Sequence, residues 1–280
     1  MMGVRAEPVR ITDPDDPRLS AYRDMRERDL VGRAGRFVAE GRVVLNVLFG
    51  AGRFEAESVL ILESRLAGAG DLLDRVPADV PVYVAAQEVI DRLAGFHVHR
   101  GILAVGRRRP DEDIDAVLAA LAPDALVVVL VGISNHDNVG SIFRNAAAFE
   151  ADAVILDQTS CDPLYRKAIR VSVGAALKVP FVRAGECASI AQALARHGFE
   201  SVALSPSGKE DIAALAPSRR TALFLGSEGD GLPDALLAAM RTVRIDMSAG
   251  FDSLNVAAAS AIALHRLWRG APATRSGSAG

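Results

Sequence analysis

From Asp113 onward, short unbroken apolar runs alternate with segments of helical apolar spacing, and this rhythm constrains the fold more than any other feature. Ala125–Val131, Ala153–Leu156, Ser201–Leu204, Ala222–Leu225 and Thr242–Ile245 read as strands buried on both faces. Gly140–Glu150, Ala188–His197, Pro233–Met240 and Leu254–Trp268 read as helices. Strands without a polar face must be covered on both sides, so the pattern predicts an α/β fold with a mostly parallel sheet. Ligands of such sheets bind beyond the carboxyl ends of the strands, so the loops after the strands are where chemistry is expected.

The preceding segment reads as a separate, small α/β unit. Val38–Phe49 has helical spacing, Ser58–Leu62 and Val80–Ala85 read as strands, Gln87–Leu93 as a helix and Gly101–Gly106 as a last strand. Arg107-Arg108-Arg109-Pro110-Asp111 then interrupts the pattern with charge and proline. The reading is therefore a domain over 1–110 with a linker near 107–112, a second domain over 113–270, and a small, polar, disordered tail over 271–280. The linker arginines read as solvated charge, with phosphate contact as the alternative. His97 and His99 are alternate residues of an expected strand and would share a face, but no third ligand accompanies them and no metal is expected.

Composition narrows the setting. The longest apolar runs are far too short to span a bilayer, and the acidic start with Asp13, Asp15 and Asp16 is unlike a secretory signal. Cys161 and Cys187 lack metal-type spacing, which fits a reducing cytoplasm and no membrane. The net charge of −3 does not advertise a nucleic-acid binder, and residues 1–110 hold 17 Arg against 16 acidic residues. Any RNA-binding surface must then be a local patch.

Three loops carry the chemistry. Gly132-Ile133-Ser134-Asn135-His136-Asp137-Asn138-Val139-Gly140 follows a strand and opens a helix, offering free N–H groups to an anion. Asn138 and Arg144 can face one pocket from there, or Asn138 is a helix cap and Arg144 a solvated charge. Gly226-Ser227-Glu228-Gly229-Asp230-Gly231-Leu232-Pro233 is a glycine-rich turn that lets a ligand approach the backbone, with Pro233 in the first helical turn. It is neither a Walker loop nor a dinucleotide fingerprint, and a plain tight loop explains it as well. In the third, Ser253 is a natural N-cap, Asn255 is unexpected in a first helical turn, and Val256 and Ala259 read as helix core.

Together and in this order, the loops resemble the three motifs of the SpoU (TrmH) branch of the SPOUT methyltransferases. Asn138, Gly140 and Arg144 match the first, N-x-G-x-x-x-R. Gly226, Glu228 and Gly231 match the second, and Ser253-Leu254-Asn255-Val256 the third. Ser172-Val173-Gly174-Ala175 resembles a connecting element of the family, and the resemblance covers about Leu126–Leu267. Phe37-Val38-Ala39-Glu40-Gly41 and Gly101-Ile102-Leu103-Ala104 resemble, more loosely, the RNA-binding N-terminal domain of many members.

The resemblance implies a trefoil-knotted SPOUT domain after a small α/β RNA-binding domain, and a homodimer through the C-terminal domain. It implies S-adenosylmethionine as methyl donor, held at Leu204, Ser205, Gly226, Glu228, Gly231, Ile245, Met247 and Leu254. The reaction implied is methylation of a ribose 2′-hydroxyl of structured RNA. Arg144 is the expected catalytic residue, supported by Asn138, Glu228, Ser253 and Asn255. A guanidinium stays protonated and is a poor base, so Arg144 is expected to pair with a phosphate and stabilise the developing alkoxide. His136 is a second candidate base, at a position where related sequences vary. Large-subunit ribosomal RNA is the expected substrate; the alternatives are transfer RNA, or a non-catalytic RNA-binding protein on this fold.

Overall fold

The computed structural model describes residues 7–23, 35–95, 97–248, 250 and 253–270. The expectation for the tail at 271–280 falls outside them. Along the first part of the chain run β1 (Val9–Arg10), β2 (Arg36–Glu40), α1 (Arg42–Ala51), β3 (Glu55–Leu62), α2 (Glu63–Leu66), α3 (Gly70–Leu73), β4 (Val82–Ala85), α4 (Gln87–Ala94) and β5 (Ile102–Arg107). Then follow α5 (Ile114–Ala120), β6 (Ala125–Leu130), α6 (His136–Ala148), β7 (Ala153–Leu156), α7 (Arg166–Val171), α8 (Ala175–Lys178), β8 (Phe181–Arg183), α9 (Cys187–Arg196), β9 (Glu200–Leu204), β10 (Glu210–Asp211), β11 (Arg220–Leu225), α10 (Asp234–Ala239), β12 (Arg241–Arg244) and α11 (Val256–Leu267).

The first five strands form a mixed sheet in the order β1-β4-β3-β5-β2. β5 runs antiparallel to β2 and β3, whereas β4 is parallel to β1 and β3. The helix expected from Val38 is corrected here. Phe37, Val38, Ala39 and Glu40 are all buried although β2 is an edge strand, and Gly41 at φ +95° turns the chain so that the helix starts only at Arg42. His97 and His99 are likewise not on a strand: β5 begins at Ile102. Their rings nonetheless meet edge to face at 4.6 Å, and His97 Nδ1 lies 2.7 Å from Asp91. Of the linker arginines expected to be solvated, Arg107 and Arg109 are exposed, and Arg108 is not. Arg107 closes β5 and pairs with Glu57, Arg108 is a mostly buried partner of Asp162 and Asp111, and Arg109 donates to the Gly52 carbonyl.

The other seven strands form a sheet in the order β10-β12-β9-β11-β6-β7-β8, and every pairing is parallel. All six residues of β6 are buried, which is why its sequence shows no alternation. Val127, Val129, Ile155, Ala203 and Phe224 pack in one cluster with Val117 and Leu118 of α5 and Ile190 and Leu194 of α9. From β6 the chain builds outward through β7 to β8, then returns to the other side of β6 for β9, β11 and β12. That reversal places a crevice at the carboxyl ends of the central strands.

By contact density the chain divides into two units. One comprises Met1–Asp111, Ser134–Arg144 and Cys161–Pro180; the other comprises Glu112–Ile133, Asn145–Ser160 and Phe181–Gly280. The first unit thus takes in α7, α8 and the first nine residues of α6. Cys161 and Cys187 are free thiols, and among the described residues no helix is long and apolar enough to cross a membrane.

Candidate active site

The turn after β6 is fixed by a buried polar group at the end of β7. The Asp157 carboxylate accepts from Gly132 N–H at 3.1 Å and from the Ser160 hydroxyl at 2.7 Å, and that hydroxyl accepts from Ile133 N–H at 3.1 Å. Asp157 and Ser160 are 5% and 2% exposed, so these bonds form where water cannot compete. The sequence reading did not single out either residue; their only trace is an Asp-x-x-Ser spacing directly after an apolar strand.

Asn135 then caps α6, its side chain accepting from Asp137 N–H at 2.8 Å while its carbonyl accepts from Val139 N–H. The helix therefore starts at His136, four residues before the expected Gly140. Asn138 sits inside the first turn, buried, as neither a loop residue nor the cap. Six residues at about 100° each set Arg144 about 120° around the helix from it, so the two do not share a face. Arg144 is exposed and has no hydrogen bond or ion pair among the described residues. His136 packs its ring on Tyr165 at 4.9 Å, and its Nε2 is buried without a hydrogen-bond partner among the described residues. Asn145, next in the chain, donates to the Ala257 carbonyl at 2.8 Å and to Ser260 Oγ at 2.9 Å, tying the second half of α6 to α11.

In the second unit, the loops after β9, β11 and β12 and the start of α11 enclose a cavity of about 590 Å³. Leu204, Ser205, Gly226, Glu228, Gly231, Ile245, Met247 and Leu254 all border it, as do Ser253 and Asn255. Val256, buried as expected of helix core, and Ala259 border it too. Ala249, Phe251 and Asp252 of the third loop lie outside the described residues.

Two local rules shape this cavity. The first is close backbone approach: a Cβ on Gly226 would stand 2.3 Å from the Gly231 carbonyl carbon, so only glycine lets the loop fold back on itself. Gly231, at φ +69°, donates from its N–H to the Ser227 carbonyl and closes the turn. Pro233 precedes α10 as its cap residue and so stands one position before the first turn.

The second rule is helix capping, and it corrects the expectation for Ser253. Asn255, not Ser253, caps α11: its Oδ1 accepts from Ala257 N–H at 2.9 Å and Ala258 N–H at 3.2 Å. With the oxygen committed to the helix, the amide nitrogen must point the other way, and it donates to Glu228 Oε1 at 2.6 Å. A hydrogen bond across the cavity rim thus joins the second and third loops. Glu228, Ser253 and Leu254 are exposed there.

The sequence and the fold have counterparts among known proteins. The SpoU rRNA Methylase family profile matches residues 125–265. A tRNA/rRNA methyltransferase of Mycobacterium bovis is 42% identical over 269 residues, covering 92% of this chain and 91% of that protein. Among solved structures, an RNA 2′-O ribose methyltransferase superposes with a TM-score of 0.75 at 26% identity, covering 93% of this chain and 98% of the other. The SpoU methyltransferase AviRb from Streptomyces viridochromogenes, in complex with AdoMet, gives a TM-score of 0.75 at 25% identity, with coverages of 90% and 95%. The order of the three loops, the all-parallel sheet and these likenesses agree: the chain belongs to the SpoU family of RNA methyltransferases.

Proposed function

We propose that this protein transfers a methyl group from S-adenosylmethionine to a ribose 2′-hydroxyl of a structured RNA, with large-subunit ribosomal RNA as the substrate. The observation that carries the proposal is the cavity beyond β9, β11 and β12, bordered by every residue expected to hold the cofactor. Its donor set fits that cofactor. A glycine turn without side chains offers backbone groups to a ribose, and Leu204, Ile245 and Leu254 offer apolar surface to a planar base. Its volume is in the range of small-molecule sites, roughly 300–1,000 Å³. The 2′-oxygen as target is supported by the solved RNA 2′-O ribose methyltransferase, and an RNA substrate by the tRNA/rRNA methyltransferase relatives.

When bound, S-adenosylmethionine supplies an electrophilic sulfonium methyl. The chain's own task is to position the ribose and relieve the 2′-oxygen of its proton. Arg144, exposed and without a partner among the described residues, pairs with a substrate phosphate and stabilises the developing alkoxide. The proton leaves to solvent or to that phosphate, because a guanidinium has no lone pair to accept it. Asn255 holds Glu228 at the cavity rim, Ser253 on the same rim orients the RNA, and Asn138, buried in the first turn of α6, supports the helix that carries Arg144. Residues 1–110 serve as the RNA-binding part and 113–270 as the knotted methyltransferase domain, which pairs with a second copy in the cytoplasm.

The test has two arms. Calorimetry should show S-adenosylmethionine binding to the full chain. A tritiated-methyl assay, followed by digestion to nucleosides, should then return a 2′-O-methyl nucleoside from ribosomal RNA and not from transfer RNA. A base-methylated product would end the ribose assignment, and label confined to transfer RNA would reverse the substrate.

A further inference from the structure

We infer that Glu40 and Arg166 are positioning residues for Arg144, an inference that rests on the catalytic role proposed above for that arginine. Glu40 belongs to the Phe37–Gly41 stretch, which resembles part of the RNA-binding N-terminal domain of many members of the family. Its side chain faces no solvent: Glu40 is 5% exposed, and Oε2 accepts from both Nε and Nη2 of Arg166, at 3.1 and 2.8 Å. Arg166 is itself only 18% exposed at its side chain. A charge pair buried to this degree holds its two elements in one register, because neither group tolerates separation without water.

Arg166 opens α7, and α7 is the bed on which the first half of α6 lies. At Gly140 the two segments touch: a Cβ there would stand 2.7 Å from the Ala168 carbonyl oxygen and 2.9 Å from Val171 Cβ. On the N-terminal side of that contact, Asp137 pairs with Lys167 at 2.7 Å and the His136 ring packs tilted against Tyr165. Just before α7, Asp162 pairs with Arg108 from the end of β5. A continuous run of contacts therefore leads from β2, through Glu40 and Arg166, to α7 and on to the helix that carries Arg144. All of it lies within one compact unit, whose boundary in α6 falls directly after Arg144. The N-terminal sheet thus has a task besides holding RNA: it sets where the catalytic arginine stands.

The experiment uses the full chain with Glu40→Gln, Arg166→Glu, and the charge-swapped pair Glu40→Arg with Arg166→Glu. Misplacing a catalytic group by about 1 Å costs on the order of 100-fold, so Glu40→Gln should lower kcat by about 10- to 100-fold. The KM for RNA and the calorimetric affinity for S-adenosylmethionine should stay within about twofold, and the swapped pair should recover kcat relative to Arg166→Glu alone. In single turnover on an Arg144→Ala background, Glu40→Gln should have no further effect. A rise in KM alone would place Glu40 on the RNA and overturn the inference, as would an undiminished loss in the Arg144→Ala background. Hydrogen exchange gives a readout free of turnover: amides 136–144 should lose protection in Glu40→Gln while β9, β11 and β12 keep theirs. Unchanged protection at 136–144 overturns the positioning, whereas a wild-type chain that fails to methylate RNA overturns only the functional reading.

Discussion

The first half of α6 and the glycine-rich turn at 226–231 carry two motifs of the same family, yet they are built in opposite ways. Residues 136–144 are held by an ion pair, a ring contact and a backbone approach at Gly140, with Asn138 buried beneath. The 228–231 stretch is exposed, and its side-chain tie to the third loop is the bond between Glu228 and Asn255. A catalytic group works best when placed before the substrate arrives. A cofactor loop must open and close, so few contacts and small residues suit it. Under the proposed function, the contrast is between a preset element and one completed by its ligand, and mutations should separate them.

The largest effect is expected at Arg144. Removing a donor that meets charge only in the transition state costs roughly 100- to 1,000-fold in kcat. Arg144→Ala should show that loss in the tritiated-methyl assay while S-adenosylmethionine binding, measured by calorimetry, is unchanged. Arg144→Lys should recover little, because an ammonium cannot make the bidentate contact. Near-normal turnover in the lysine variant would sink the bidentate role.

Gly226→Ala and Gly140→Ala break the comparison from its two sides. Both add one methyl where the backbone of another segment already stands, at 2.3 Å from Gly231 and 2.7 Å from Ala168. Overpacking of this kind costs about 1–3 kcal/mol. At Gly226 the cost should appear as a loss of cofactor affinity of about 5- to 150-fold by calorimetry. At Gly140 it should appear in kcat and in the melting temperature, with cofactor affinity preserved. If both variants lost affinity equally, the two elements would be one unit in function.

How much of this was legible beforehand follows from the same contrast. The strands of the parallel sheet could be read because burial on both faces leaves unbroken apolar runs, as in Ala125–Leu130. β8 and β10 were missed because three and two residues carry no period, and α5 because seven residues hold too few turns. β2 was read as the start of a helix, since a buried strand and a buried helix segment look alike over four residues. The turn that borders the cavity was legible through its glycines, whose spacing is a backbone property. Asn255 as cap was not, because Ser253 is an equally good cap by residue type and only the geometry chooses. Nor was the Glu40–Arg166 pair, whose partners stand 126 residues apart and acquire meaning only when folded.

Asn255 is the joint between the two cavity loops, and its two roles can be pulled apart. Asn255→Ala removes the cap and the bond to Glu228 together, costing about 1 kcal/mol of stability for the cap. Asn255→Ser retains an oxygen for Ala257 and Ala258 but has no reach to Glu228. Thermal melts should place the serine variant near wild type and the alanine variant below it. Methyl transfer should fall by a similar factor in both, because both release Glu228. Full activity in Asn255→Ser would mean that the clasp does not set the position of Glu228.

The smallest effect is expected in the scaffold itself, and it concerns pH. Burial pushes the Glu57 carboxyl up, but the Arg36 and Arg107 guanidinium groups, at 2.5 and 2.9 Å, outweigh it and hold the group below its usual value of 4.5. A carboxyl whose folded pKa is depressed stabilises the fold above its unfolded pKa, and that contribution is lost as pH falls through the folded one. Glu57→Gln should therefore lower stability at neutral pH and flatten its decline below about pH 4.5, read from urea melts across that range. Because Glu57 lies in the first sheet, calorimetric cofactor affinity at neutral pH should not move. A change in that affinity would show that acid-sensitive packing in the first unit reaches the cofactor loop, and the preset and ligand-completed elements would no longer be separable.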